Sequence, residues 1–121
     1  LWFVNTHLGR NPTDHGVTSQ RQLFELLGKM KTFDPDYPVI VVGDFNIEPG
    51  MPEPYAALRK LFNDPPLSGF RMVIEDDRMH IFKFDPHRRL ILQRRPEIVS
   101  PVWQGVKLSD HNLLVAEFEW P

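Results

Sequence analysis

At 121 residues the chain has length for one domain with a modest core, or for part of a larger one. Its 14 basic and 16 acidic residues give a net charge of −2, which provides no global footprint for nucleic acid or an anionic membrane, although a local basic groove stays open. The absence of cysteine excludes disulfides and thiolate metal ligands without fixing the compartment, and no transmembrane segment is expected, because no run approaches the ~20 apolar residues that span a bilayer.

The chain opens inside an apolar run, Leu1-Trp2-Phe3-Val4, with no leader or polar tail before it, which reads as a strand entered midway and suggests a fragment. This run predicts a buried strand over residues 1–6 that stops at Asn5, Thr6 and His7. Residues 9–16 carry loop chemistry: Asn, Pro, Thr, Asp, His and Gly. Leu23, Leu26, Leu27, Met30 and Phe33 then fall at helical spacing, and Ser19 with Gln22 has capping-box spacing, so a helix is predicted over 19–33. Asp34-Pro35-Asp36-Tyr37-Pro38 ends it.

Val39-Ile40-Val41-Val42, bounded by Pro38 and Gly43, has the pattern of a central strand buried on both faces. Prolines 49, 52 and 54 follow, and residues 55–63 are predicted as a short helix with Tyr55, Leu58, Leu61 and Phe62 inward and Pro52 or Pro54 in its first turn. From Phe70 the pattern is β-rich, with strands predicted over 72–75, 79–84, 90–92, 98–102 and 113–120 and a turn at Asp85-Pro86-His87. Strands alternate with helices early and stand alone later, which argues for mixed α/β with packed sheets. The twelve scattered prolines fit many short elements with abrupt connections.

Three polar clusters lie at strand ends. If strand geometry persists past Gly43, Asp44 and Asn46 project to one side. The carboxylate can then hold a hard cation or take a proton from water, and the amide can donate to a developing oxyanion. Alone, Gly-Asp-x-Asn reads equally well as a polar turn. Asp110-His111 couples a metal-binding oxygen to an imidazole that exchanges protons near neutral pH, although by itself a turn with a surface histidine is the simpler reading. His7 stands after its strand as Asp44 does after its own. Repetition at successive strand ends, where α/β proteins gather their sites, outweighs the separate bland readings.

Asn5-Thr6-His7-Leu8, Gly43-Asp44-Phe45-Asn46 and Ser109-Asp110-His111, in this order and spacing, resemble the second half of the endonuclease/exonuclease/phosphatase (deoxyribonuclease-I-like) superfamily over essentially the whole chain. The resemblance implies the C-terminal portion of a single domain, half of a four-layered α/β/β/α sandwich with mixed, mainly antiparallel sheets. It implies hydrolysis of a phosphate ester, a phosphodiester of nucleic acid or a lipid head group above all, with Mg2+ (or Mn2+ or Ca2+). On that basis Asp44 orients or deprotonates water and contributes to the metal, and Asn46 holds the water or a phosphate oxygen. Asp110 binds metal, His111 and His7 face the phosphate, and Asn5 supports them as a substrate-binding hydrogen-bonder. The fragment alone is expected to be inactive, because the family's first half supplies an Asn and a metal-binding Glu, and that half would be its partner.

One departure concerns Asp77-Arg78-Met79-His80-Ile81-Phe82, which sits where the family carries an aspartate that orients the last histidine. His80 or Met79 takes its place, with Asp76 or Asp77 as substitutes. This motivates the alternative of a catalytically dead family member acting as a binding or scaffold domain. A third reading treats the motifs as coincidental turns and expects His7, Asp44 and Asp110 to lie far apart. Weaker features are a basic edge of His87-Arg88-Arg89 and Arg94-Arg95, read as solvated or edge-protecting, Trp103, read as partly buried packing, and a Pro65–70 loop with too little apolar surface to dip into a membrane. Nothing in the sequence fixes an oligomeric state.

Overall fold

A computed structural model of the chain describes the backbone at residues 1–63 and 69–121 and side chains at 1–60 and 69–121. Its first strand, β1 (Trp2–His7), pairs in parallel with β2 (Val39–Asp44), and the connection between them is the helix α1 (Val17–Met30). A second helix, α2 (Pro52–Asn63), leads to β3 (Phe70–Asp76) and β4 (Met79–Phe84), which form an antiparallel pair. β4 lies antiparallel to β2, so the main sheet is mixed and has the order β1-β2-β4-β3. Short strands follow: β5 (Ile91–Leu92), β6 (Glu97–Val99), β7 (Val102–Trp103), β8 (Val106–Lys107), β9 (Leu113–Val115) and β10 (Phe118–Glu119). They form two-stranded pairs, β5 with β10, β6 with β9 and β7 with β8.

β2 is central as its composition predicts, with Val39, Ile40 and Val41 all buried. Alternation sends Val39 and Val41 to one face, where they pack with Phe45, Phe82 and Phe70 against Leu23, Leu27, Met30 and Leu58 of the two helices. Ile40 goes to the other face with Ile81 and Leu90, and Val42, Leu114 and Phe118 pack around them. Full burial of each large apolar side chain contributes about 1.5–3 kcal/mol, so these two layers supply most of the driving force for folding. The architecture is a mixed α/β sheet with both helices on one face and short antiparallel ribbons at the other.

Several sequence expectations change. β1 is an edge strand and is not buried: among the described residues only β2 pairs with it, and Phe3 is 65% exposed. α1 begins at Val17 behind Gly16, with no side-chain cap on the helix, while Asp14 accepts from the Gly16 and Thr18 amides. Ser19 and Gln22 do not form a capping box. Instead they grip Gly9, Ser19 Oγ donating to its carbonyl at 2.8 Å and Gln22 Oε1 accepting from its amide. The predicted strand over 98–102 is broken before Val102, and that over 113–120 is broken between Val115 and Phe118. α2 starts with Pro52 and buries Leu58, while Leu61, Phe62 and the loop at 65–68 lie outside the described side chains. The Asp85 turn forms as expected, its carboxylate accepting from the Arg89 and Leu90 amides at 2.9 and 2.7 Å.

Gly43 is required where β2 meets β1. Its φ is 147°, and a Cβ built on it would stand 1.8 Å from the Thr6 carbonyl oxygen. No rotamer relieves a clash with backbone. Gly43→Ala is expected to destabilise the fold by about 3 kcal/mol or more, read from denaturant unfolding; a change within about 0.5 kcal/mol would show that β1 does not approach β2 this closely.

Candidate functional site

Strand pairing builds the site. In the parallel β1–β2 ladder His7 is the direct partner of Asp44, and the Leu8 amide donates to the Asp44 carbonyl at 2.9 Å. In the antiparallel β2–β4 ladder Asp44 is opposite Met79, and the Phe45 amide donates to the Arg78 carbonyl at 2.8 Å. Residues far apart in sequence therefore meet at the end of β2. His111 arrives from the turn before β9, which is braced by the His111 amide on Ser109 Oγ at 3.1 Å and by Asn112 Nδ2 donating to Asp76 Oδ2 at 2.9 Å.

Asp44 is the hub. Its Oδ2 lies 3.4 Å from His111 Nε2 and 3.8 Å from His7 Nε2, and its Oδ1 accepts from the Asn46 amide at 2.8 Å. Asp110 Oδ1 is 3.8 Å from the same His111 nitrogen and its side chain is exposed. His7, Asp44, Asn46, Asp110 and His111, with Arg10 and Arg78, line one open cleft of about 450 Å3. The expectation of scattered turns is thereby disfavoured: three strand-end clusters converge on one place.

Asn46 reaches the cleft by another route than the one expected. The strand stops at Asp44, and Asn46 adopts a left-handed conformation with φ 51°, which asparagine tolerates better than most residues. Its buried side chain donates to the Leu8 carbonyl at 2.6 Å. One face of the amide thus ties the β2 loop to the β1 loop, while Oδ1 is 3.4 Å from Arg78 Nη1. Asn5 is exposed, two residues before His7, and lies outside the cleft lining.

His80 is not beside His111. It is wholly buried on the helix face of the sheet, stacked on Phe45, because alternation along β4 puts it on the side of Phe82 and Phe84. Met79 takes the place opposite Asp44, so neither residue at the expected carboxylate position holds His111. Asp76 holds Asn112 instead, Asp77 lies 3.6 Å from Arg78, and the carboxylates nearest His111 are Asp44 and Asp110.

Motif reading passed over Arg10 and, more consequentially, Arg78. The Arg78 Nε is buried without a hydrogen bond among the described residues, 3.7 Å from Glu48 and 3.6 Å from Asp77, and its guanidinium opens on the cleft. A fixed cation of this kind attracts a phosphoryl group. Only the pairing of β4 with β2 brings it there. The basic edge does not contribute, since Arg94 pairs with Glu117 at 3.1 Å and Arg89 donates to the Asp36 carbonyl, and neither lines the cleft. Trp103 is 66% exposed on the β7–β8 hairpin, so the packing expected for it is not made.

As for a metal, Asp44 and Asp110 offer the oxygen ligands that a hard cation takes. They do not suffice: among the described residues no group of three or more His, Asp or Glu is arranged to hold a metal ion. Among those residues, too, no helix is long and apolar enough to cross a membrane.

This arrangement is a partial α/β sandwich with a polar cleft at the strand ends. Its fold is similar to that of a humanized D. rerio TDP2 carrying 14 mutations, with a TM-score of 0.70 and 19% identity over 97% of this chain and 51% of that one. The chain therefore spans about half the length of the structure it matches. No family model and no curated protein matches the sequence.

Behind the cleft, Glu75 holds a carboxylate below its ordinary value of 4.5, first through its polar contact with His80, then through Tyr55 and Arg59, against an opposing cost of burial. A depressed carboxylate stabilises the fold above its unfolded value and loses that contribution as pH falls through the folded one. Melting temperature should therefore drop more steeply below about pH 4.5 in the natural chain than in Glu75→Gln. Parallel profiles for the two proteins would contradict it.

Proposed function

We propose that this chain is the C-terminal portion of an endonuclease/exonuclease/phosphatase-type domain and that the protein containing it hydrolyses a phosphate ester. The convergence of His7, Asp44 and His111 carries this reading, with the imidazoles 3.8 and 3.4 Å from one carboxylate oxygen. The likeness of fold to TDP2 and the order of the three motifs support it.

In this reading a phosphoryl group enters the open cleft beside Arg78, whose guanidinium offsets its charge. Asp44, flanked by two imidazoles, orients the attacking water and accepts its proton. His111 and His7 donate to phosphoryl oxygens that gain charge as the bond to the leaving group breaks. Asn46 fixes the relative position of the two loops through the Leu8 carbonyl. A divalent cation such as Mg2+ would need ligands beyond Asp44 and Asp110, and we assign these to the other half of the domain. The substrate class is a phosphodiester, of nucleic acid or of a lipid head group.

The same half accounts for the apolar surface that this chain leaves open. Phe3 on the edge strand and Ile98 and Leu113 on the β6–β9 ribbon are each about half exposed or more. Since the matched structure extends over roughly twice this length, the remaining half is the occupant that would cover them.

A binding domain without turnover is the competing reading, motivated by His80 at an acidic position; against it, Asp44 and Asp110 stand 3.4 and 3.8 Å from His111 Nε2 and supply carboxylates beside that histidine. In the full-length protein with Mg2+, hydrolysis of bis-p-nitrophenyl phosphate should be measurable, and Asp44→Ala and His111→Ala should each lower kcat/KM roughly a thousandfold. Wild-type rates in both variants would refute the proposal. Substrate binding without any turnover would favour the scaffold.

A further inference from the structure

His80 is fully buried, yet it is polar and makes directed contacts on two sides. Its ring stacks on Phe45 with centroids 5.0 Å apart and planes 19° apart, and its Nε2 is 3.0 Å from the Ile47 carbonyl. A carbonyl can only accept, so Nε2 is the donor. Phe45 and Ile47 are the two neighbours of Asn46, so one imidazole touches the loop on both sides of a cleft residue. On the other side of the ring, Nδ1 faces Glu75 Oε2 at 3.5 Å, an ion-pair contact that attracts when Nδ1 also carries a proton, and among the described residues neither atom has a hydrogen-bond partner. The second oxygen of Glu75 accepts from Tyr55 Oη at 3.0 Å and Arg59 Nη1 at 3.1 Å, both on α2.

A side chain that served only to fill this space would be apolar, because burying an imidazole against a carboxylate costs desolvation that apolar packing avoids. What the polar pair adds is direction. The loop it touches needs direction, since Asn46 holds a left-handed backbone that relaxes unless its neighbours are fixed.

We propose that His80 is a positioning residue for the cleft: braced by Glu75, which Tyr55 and Arg59 hold from α2, it fixes Phe45 and the Ile47 carbonyl and so sets Asp44 and Asn46 in place. This inference rests on the phosphoesterase reading for its effect on rate. His80 touches no substrate and acts through the loop alone.

The test uses His80→Phe, which keeps an aromatic ring on Phe45 but removes the donor, His80→Gln, which returns an N–H near the position of Nε2, and Glu75→Gln, which weakens the brace. In the full-length protein, at a temperature where circular dichroism shows each variant folded, His80→Phe should lower kcat about tenfold or more with KM within about twofold, and His80→Gln should recover most of the loss. Glu75→Gln should lower kcat several-fold, and it decides the matter if His80→Phe does not fold. A folded His80→Phe or Glu75→Gln variant with natural kcat, or a loss confined to KM, overturns the proposal. A second readout is independent of activity. Exchange of the Asn46 amide, which donates to Asp44 Oδ1, should accelerate about tenfold in Glu75→Gln relative to the Val41 amide. If the natural protein hydrolyses no phosphodiester, the functional reading falls while this exchange measurement still decides the clamp, and an unchanged Asn46 rate overturns it.

Discussion

The pairing of His7 with Asp44 across the parallel β1–β2 ladder is the contact on which the cleft depends. It is set by register alone. A shift of one residue in that ladder would turn His7 to the opposite face and bring Thr6 or Leu8 beside the carboxylate. Two features fix the register: the apolar run of β2, buried on both faces, and Gly43, where the Thr6 carbonyl comes so near that no side chain fits. The same strand end receives β4 from the other side, which brings Arg78 to the cleft and His80 behind it. The geometry of the cleft thus follows from hydrophobic pairing of strands, with few contacts among the polar groups themselves.

Polar side chains then hold the loops that the strands deliver. Ser19 and Gln22 of α1 clasp Gly9, and Asn46 clasps Leu8, so the segment after β1 is tied both to a helix and to the loop of β2. Asp76 ties Asn112 and with it the turn that carries His111. Each of these bonds joins residues far apart in sequence, and each ends on a residue within two positions of His7 or one position of His111. The layer behind, with His80 and Glu75 between Phe45 and α2, extends the same support to Asp44 and Asn46.

Much of this was legible from sequence. The β2 strand, both helices, the Asp85 turn and the placing of all three clusters at strand ends follow from local patterns, and the cleft contains every residue read as catalytic or metal-binding. What could not be read depends on which strand lies beside which. The apolar run at Trp2 looks buried because periodicity reports hydrophobicity and not neighbours, and on an edge it is half bare. Ser19 and Gln22 have the spacing of a cap, but a loop folded back over the helix takes both side chains. Arg78 carries no motif of its own, and His80 was matched by position in a strand whose alternation turns it the other way.

Among the five histidines, His7 and His111 share a carboxylate and a cleft, while His15 and His87 are exposed elsewhere and His80 is buried. Titrating the protein with inorganic phosphate while recording the imidazole 1H–15N resonances separates these groups. The signals of His7 and His111 should move together with one dissociation constant, with His15 and His87 unaffected and Asp44→Asn altering both responding rings. Movement of His7 and His111 with unrelated constants, or no more than that of His15 and His87, would show that the three strand-end motifs do not form one phosphate site.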